Sequence, residues 1–408
     1  MNGRHPQDFI AELTARAIVI FCGLLMTVGA FSIDSTLPTF PFIVADFSTG
    51  WDNAESTVSI FMLTAGLSQL VVGTVSDRYG RRIVIQIGLA VYLAGAVIAV
   101  LAPSIELLLV GRALQGVGAG TGWVLARAIL RDLFAGKELA RNMALSTAVF
   151  AFGPIVAPLV SAGLILLFPW RSVFVWMIVF AAFLLAVSLW RLPETLARRD
   201  EASLRPAALA ANMRSLLGNR QSRHFLLMAG IANTMVFLII VGLPRVYEFN
   251  FGISGPLFAV YFAVHGVGIV IGQIANRRLI HRFETLFATR LAAGVLLAVS
   301  LAIVAVAAAG VANAVNVTAL FVGFATCYLI VYANAAALTL DPHGDIAGFA
   351  SSFFGFFSQT IAAIGVALLA PLVGGDLVGF GAALSMLATI VLASLLAFRA
   401  ADTYRYAK

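Results

Sequence analysis

Charge is what this sequence has least of. Of its 408 residues only 11% are Asp, Glu, Lys or Arg, against 61% hydrophobic, and the mean hydropathy is +0.99. A water-soluble fold of this length cannot cover its surface with so few charges. Cysteine is nearly missing too. Cys22 and Cys327 each lie in an apolar run with no second ligand group nearby, so they read as small buried hydrophobes and not as a disulfide, a zinc site or a thiol nucleophile. The chain lacks a P-loop, an HExxH pair and a nucleophile elbow, so nothing in it points to direct ATP drive or to an enzyme. The strict apolar–polar alternation of a β-barrel is absent as well, because the apolar runs are continuous.

What is present is a series of apolar stretches, most about 18 to 25 residues long, each long enough to cross a hydrocarbon core of roughly 30 Å as a helix. Twelve are predicted: 17–38, 55–75, 83–101, 106–125, 142–167 and 172–190, then 225–246, 256–275, 286–309, 314–337, 347–373 and 378–398. The first is longer than a signal-peptide core and ends without a small-x-small cleavage site, so it is expected to remain as an anchor. Basic residues orient the set. With both termini inside, and with Arg290 at the start of the ninth span counted with the loop before it, the inner segments hold two, three, four, seven, four, none and three Lys or Arg in chain order, which is 23 of the 26. Arg171 and Arg245 fall on the other side, and Arg112 inside a span. Such asymmetry over short loops predicts a multi-pass protein with both ends cytoplasmic. The net charge of +7 is then explained by anionic lipid headgroups, with no nucleic acid required.

The polar stretch at the midpoint, with a helix expected near 206–217, divides the chain into 1–190, a cytoplasmic linker 191–223, and 224–408. The halves look like a diverged repeat. Gly73 precedes Asp77-Arg78 by four residues, and Gly272 precedes Asn276-Arg277 at the same spacing. Two such halves suit bundles that rock around a site between them.

The segment GTVSDRYGRR at 73–82 carries the most specific pattern. Gly73 permits close helix approach and Gly80 a tight turn. Asp77 can meet a cation or cap a helix, and Arg78 and Arg81 can pair with Asp132. These contacts are expected to hold the cytoplasmic side shut in the outward-facing state and to break when it opens inward. The bland alternative is an ordinary positive-inside turn. The segment resembles the G-x-L-x-D-R-x-G-R-[RK] signature of the major facilitator superfamily. The chain further resembles that superfamily's drug:proton antiporter family, of the bicyclomycin- and chloramphenicol/florfenicol-resistance type. LVGRALQG at 109–116, FGP at 152–154, IDSTLP at 33–38 and DIAGFASS at 345–352 carry this likeness over nearly the whole chain. The resemblance implies an all-α membrane protein with the major facilitator fold, twelve transmembrane helices in two six-helix bundles around a central cavity. It implies a location in the bacterial inner membrane.

Asp34 and Arg112 are the ionisable residues best placed inside spans, where a charge costs several kcal/mol unless it meets water or a partner. Moving either group, or admitting substrate between them, could switch a proton on or off. By resemblance, Asp34 is the proton- and substrate-coupled acid and Arg112 its electrostatic tuner. Asp34 could instead be an outer helix-end residue, and Arg112 part of a purely structural pair. Some multidrug relatives carry a second acid two turns earlier, where this chain has Met26. One coupling carboxyl suggests one proton per cycle, which makes export of a neutral drug electrogenic. Gly153-Pro154 resembles the antiporter motif of the fifth helix, although Ala157-Pro158 replaces its final glycine pair. The pair can seal a bundle interface or simply kink the helix.

The substrate contacts expected are Asp34 and Arg112, the in-span polar groups Asn233, Tyr261, His265, Asn334 and Gln359, and Phe353 and Phe357 from a phenylalanine cluster. An aromatic cavity with few polar groups suits hydrophobic drugs. His265 reads either as a second titrating group or as a neutral hydrogen-bonded one. The expected function is proton-coupled efflux of small hydrophobic or amphiphilic drugs, phenicol- or bicyclomycin-like. The alternative is a proton-coupled symporter for a nutrient or metabolite, since the loop signature is shared across the superfamily. The expected partners are the drug, protons and the bilayer, with the chain acting as a monomer. No cofactor or metal is expected.

Overall fold

A computed structural model of the chain describes residues 6–199 and 206–398. An apolar chain in lipid must satisfy its backbone within each segment, which favours helices. The elements run α1 (Pro6–Asp34), a 3-10 turn (Leu37–Thr39), α2 (Phe40–Asp46), α3 (Trp51–Tyr79), α4 (Arg81–Leu101), α5 (Ile105–Leu133), α6 (Gly136–Ala151), α7 (Gly153–Leu167) and α8 (Ser172–Arg191). After the linker come α9 (Pro206–Gly218), α10 (Arg220–Phe251), α11 (Gly255–Arg282), α12 (Thr285–Ala308), α13 (Ala314–Leu340), a 3-10 segment (Asp341–Ile346), α14 (Ala347–Val373) and α15 (Leu377–Ala397).

Ten stretches are long and apolar enough to cross a membrane. One of them, Ala314–Val373, holds both α13 and α14. Helix α5 falls outside the ten because arginines and glycines dilute its hydropathy, yet its 29 residues are packed against both α3 and α4. Among the described residues the helices therefore make twelve passes, as the apolar runs predict. The boundaries differ more than the count. α5 continues to Leu133, eight residues past the predicted end, so Arg127 and Arg131 belong to a helix and not to a loop. The run 142–167 is two helices, α6 and α7. They part at Phe152 because Pro154 has no N–H to give the carbonyl four residues back.

In the first half α5 lies between α3 and α4, α8 covers α4, and α1 packs on α5, α6 and α7. In the second, α10 packs on α13 and α14, α11 on α13, and α12 on α13 and α15. The halves meet where α3 lies on α14 and α7 on α11. Without a hydrophobic drive between helices in lipid, small residues and backbone proximity hold such crossings. A Cβ on Gly118 of α5 would come within 2.4 Å of the Gly88 carbonyl oxygen on α4, and one on Gly116 within 2.3 Å of the Phe61 carbonyl oxygen on α3.

The break after α1 is built from polar side chains. Pro38 interrupts the backbone ladder, and the Ser35 carbonyl accepts from the Ser161 hydroxyl of α7 at 2.7 Å. The Ser35 hydroxyl donates to the Ala157 carbonyl at 3.1 Å, and the Thr36 hydroxyl to the Ser32 carbonyl at 2.7 Å. Backbone groups freed inside the protein are thus re-satisfied by neighbouring helices.

Replacing Gly118 with Leu forces α4 and α5 apart. Overpacking of this kind costs about 1–3 kcal/mol, so the thermal midpoint of the detergent-solubilised protein should fall, as read by loss of monodispersity on heating. An unchanged midpoint would mean that the two helices do not need this close crossing.

Candidate functional site

The α1 break sets out Asp34. Its residue is 5% exposed, and among the described residues its carboxyl has no hydrogen-bond or ion-pair partner. Arg112, at zero exposure, does not meet it. The Arg112 guanidinium donates to the Thr57 carbonyl, the Gln115 side-chain oxygen and the Ser32 carbonyl, each at 3.0 Å. Its charge also lies over the rings of Phe61 (4.5 Å) and Phe174 (5.9 Å), a favourable placement for a cation. Sequence reasoning expects a carboxylate partner or water for this arginine. The structure gives it neutral acceptors and aromatic faces from α1, α3, α5 and α8. Its link to Asp34 is mechanical: it holds the carbonyl of Ser32, two residues earlier on the same helix. The Ser32 hydroxyl also bonds to the buried Tyr92 hydroxyl.

Of the polar groups expected to contact substrate, several are occupied by one another. Asn233 accepts from the Tyr328 hydroxyl at 3.0 Å and donates to the Ser358 carbonyl at 3.3 Å. Asn334 accepts from Asn276 at 3.1 Å, so the second-half counterpart of Asp77 ties α11 to α13. Gln359 accepts from Gln69 of α3 at 2.9 Å and so joins the halves. His265 is 3% exposed, rests against Phe262, and its Nε2 has no partner. Tyr261 is half-buried beside Tyr247. Phe353 is buried and stacks with Phe349 and Phe357. Gly153 and Pro154 sit at the interface of the halves. A Cβ on Gly153 would meet Ala30 and Thr27 of α1 at 3.2 Å, and Gly266 of α11 lies against Pro154.

At the linker end, Arg81 pairs with Asp77 at 2.6 Å and with Asp132 at 3.0 Å, and donates to the Ser76 hydroxyl. Arg78 is not part of this cluster; it is exposed, with its guanidinium 5.5 Å from the Tyr79 ring. The turn explains the choice: α3 ends at Tyr79, and Gly80 brings Arg81, the first residue of α4, back to Asp77, while Arg78 stays exposed on α3. Gly80 turns the chain with φ of +105°, and a Cβ there would lie 2.3 Å from Glu194. That Glu194, unnoticed in the sequence, accepts from the backbone N–H of Arg81 at 2.9 Å and of Arg82 at 3.3 Å. It caps α4 from across the half, an arrangement favoured at the positive end of a helix. The signal was a lone acid in Leu192-Pro193-Glu194, directly after an apolar run. The cluster borders a cavity of about 420 Å³ whose lining includes Gly73, Asp77, Arg81, Arg131 and Asp132 of the first half and Phe349 and Ser352 of the second. In this conformation it knits α3, α4 and α5 together and, among the described residues, forms no ion pair with the second half.

The pairing between halves is at the opposite end. Arg245 of α10 pairs with Asp52 of α3 at 2.7 Å and approaches the buried Glu55 at 3.7 Å, and Trp51 packs edge-on against Phe249. Sequence reading saw Arg245 only as an exception to the charge rule. Its acidic partners are near 50 and not nearby in sequence, so no local pattern reveals the pair.

The Major Facilitator Superfamily profile matches residues 19–367 of the chain. The multidrug resistance protein MdtL of Shigella dysenteriae is 30% identical over 337 residues, covering 79% of this chain and 80% of that protein. A bicyclomycin resistance protein homolog of Haemophilus influenzae is 25% identical over 354 residues, covering 86% and 88%. The solved structure of a D-xylose–proton symporter superposes with a TM-score of 0.74 at 14% identity, over 93% of this chain and 97% of that one.

Glu194→Ala removes the acceptor for two backbone N–H groups at the start of α4. Loss of a helix cap costs about 0.5–2 kcal/mol, so thermal stability should drop and transport should slow several-fold. Arg78→Ala, outside the cluster, should leave stability within about 0.5 kcal/mol of wild type. Equal effects of the two substitutions would overturn this assignment.

Proposed function

The chain belongs to the Major Facilitator Superfamily, and we propose that it is a proton-coupled exporter of small hydrophobic or amphiphilic drugs, phenicol- or bicyclomycin-like, working by alternating access. It is a transporter and not an enzyme. The names of its bacterial relatives, MdtL among the multidrug resistance proteins and a bicyclomycin resistance homolog, support export. The observation that carries proton coupling is the buried carboxyl of Asp34, without hydrogen bond or ion pair, at the broken end of α1. Ionised where it stands, it would leave an uncompensated charge inside the protein, at a cost of several kcal/mol. Release of its proton therefore belongs to a state in which the α1 break is opened to water or reached by a cation.

In this reading the linker end is cytoplasmic, both termini face the cytoplasm, and the protein spans the bacterial inner membrane as a monomer. The moving bodies are 1–190 and 224–408, joined by 191–223. The Arg245–Asp52 pair closes the periplasmic end while the cavity beside Asp77 and Arg81 admits drug from the cytoplasm. Opening outward breaks the former and closes the latter, with α3 sliding on α14 and α7 on α11. The Arg81 cluster keeps three helices of the first half together, so that they move as one body. Arg112 positions α1 through Ser32, and so sets where Asp34 points. Exchange of one proton for a neutral drug moves net charge and draws on the membrane potential, about 2.3 kcal/mol per 100 mV.

Asp34→Asn should lower driven export at least tenfold while leaving drug binding measurable. In vesicles with an acidified interior, wild type should release protons when drug is added outside, and the Asn variant should not. Wild-type resistance in cells carrying Asp34→Asn would end the coupling reading. Inward drug and proton fluxes that rise together would identify symport instead.

A further inference from the structure

We propose that the preferred cargo is an amphiphile with an anionic or strongly hydrogen-bond-accepting head, and that Arg127 of α5 is the residue that receives that head. The inference rests on the export reading above and deepens it. Arg127 lies in α5 at a spacing of four from Trp123 and from Arg131, so the three share one helix face. Trp123 packs across Gly29 of α1 and donates to the Met26 carbonyl at 2.9 Å. Arg131 reaches across to α14, its guanidinium within 3.8 Å of where a Cβ on Gly348 would stand, and it lines the cavity between the halves. Arg127, one turn deeper than Arg131, is an electrostatic neighbour of Tyr332 on α13 of the second half. The face therefore meets α1 of its own half at Trp123 and the second half at Arg127 and Arg131.

Among the described residues Arg127 makes no hydrogen bond and no ion pair, and it is only partly exposed. The contrast with Arg112 is instructive, because there every guanidinium nitrogen has an acceptor. The acids of the cavity do not serve Arg127 either. Asp77 and Asp132 are engaged with Arg81, and Asp345 lines the cavity at its linker-end mouth together with Arg131. An ionisable residue at membrane depth with no protein partner marks a place where a ligand or water completes the pairing. A guanidinium offers a planar fork that fits carboxylate, sulfonate or nitro oxygens in pairs.

The facing wall suits the rest of such a molecule. Tyr328 and Tyr332 stack at 5.7 Å, and Phe354 lies 5.5 Å from Tyr332. The Tyr328 hydroxyl is spent on Asn233, and that of Tyr332 bonds to Ser358 at 3.2 Å, so the partly exposed Tyr332 ring, backed by the buried rings of Tyr328 and Phe354, presents an apolar face. Between Trp123 and Arg131 this face of α5 carries no acid to draw a lipophilic cation. Asp34 is two residues from Ser32, whose carbonyl Arg112 holds, and the fifteen residues of α5 from Arg112 to Arg127 span about 22 Å at 1.5 Å per residue.

The test follows three probes in vesicles with an imposed proton gradient: anionic carboxyfluorescein, neutral chloramphenicol and cationic ethidium. Wild type is expected to move carboxyfluorescein at least tenfold faster than ethidium. Arg127→Gln should cut carboxyfluorescein transport tenfold or more, Arg127→Lys should retain at least half of it, and ethidium should be unaffected by either. Wild-type preference for ethidium, or an anion-to-cation ratio unchanged by Arg127→Gln, overturns the inference. A wild-type measurement stands even if the Gln variant does not fold. Quenching of Trp123 fluorescence should show carboxyfluorescein binding at least tenfold tighter than its uncharged ester, and equal binding overturns the inference too. Failure of all three probes to move protons in wild type counts against export itself, and the binding comparison then still decides the role of Arg127.

Discussion

A guanidinium sealed from solvent governs the first half of this protein. Arg112 carries a full charge at zero exposure, and no carboxylate is close enough to offset it among the described residues. The charge is tolerated because two backbone carbonyls, one amide oxygen and two ring faces converge on it from four helices. Removing a partner from such an arrangement leaves a buried charge unpaired, which costs more than the bond itself is worth. The positions of α1, α3, α5 and α8 are therefore tied to one another. The end of α1, with its 3-10 turn and its lone acid, inherits that rigidity.

The second half is organised differently. Its interior polar groups are neutral and bond mostly to each other, as Asn233 does with Tyr328 and Asn334 with Asn276. Arg127 and Arg131 of the first half lie towards the second half, whose nearby α13 and α14 carry the aromatic rings of Tyr332 and Phe349. Rigid charge-bearing helices against an apolar, aromatic partner can slide without breaking many strong bonds. Among the described residues, the ion pairs that cross lie at one end, between Arg245 and the acids of α3. A single cluster of that kind can open without disturbing the Arg81 cluster at the other end.

Hydropathy made the twelve passes legible, since lipid leaves a continuous apolar run of this length few folds other than a helix. The 73–82 segment was legible because a glycine, an acid and an arginine at fixed spacing have few other uses. Its partners were not. Arg78 and Arg81 are equally basic on paper, and only the turn at Gly80, which starts a new helix at Arg81, selects Arg81. Glu194 is separated from the helix it caps by more than a hundred residues. Arg127 and Arg131 looked like loop residues because hydropathy ends a helix at its first charges, whereas a helix lining an interior interface continues past them.

The sequence by itself determined that the chain spans a membrane many times, that its positive charge gathers on one side, and that a lone acid and a lone arginine sit within the spans. These follow from local composition, to which lipid and water respond residue by residue. Only the tertiary structure decided that Arg112 bonds to backbone and not to Asp34, and that Arg245 meets Asp52. It also decided that Arg127, with no hydrogen-bond or ion-pair partner among the described residues, lies near Tyr332 of the second half. Pairings of that kind depend on which helices lie side by side, and that is set by glycine-lined crossings and polar breaks acting together, far apart in the chain.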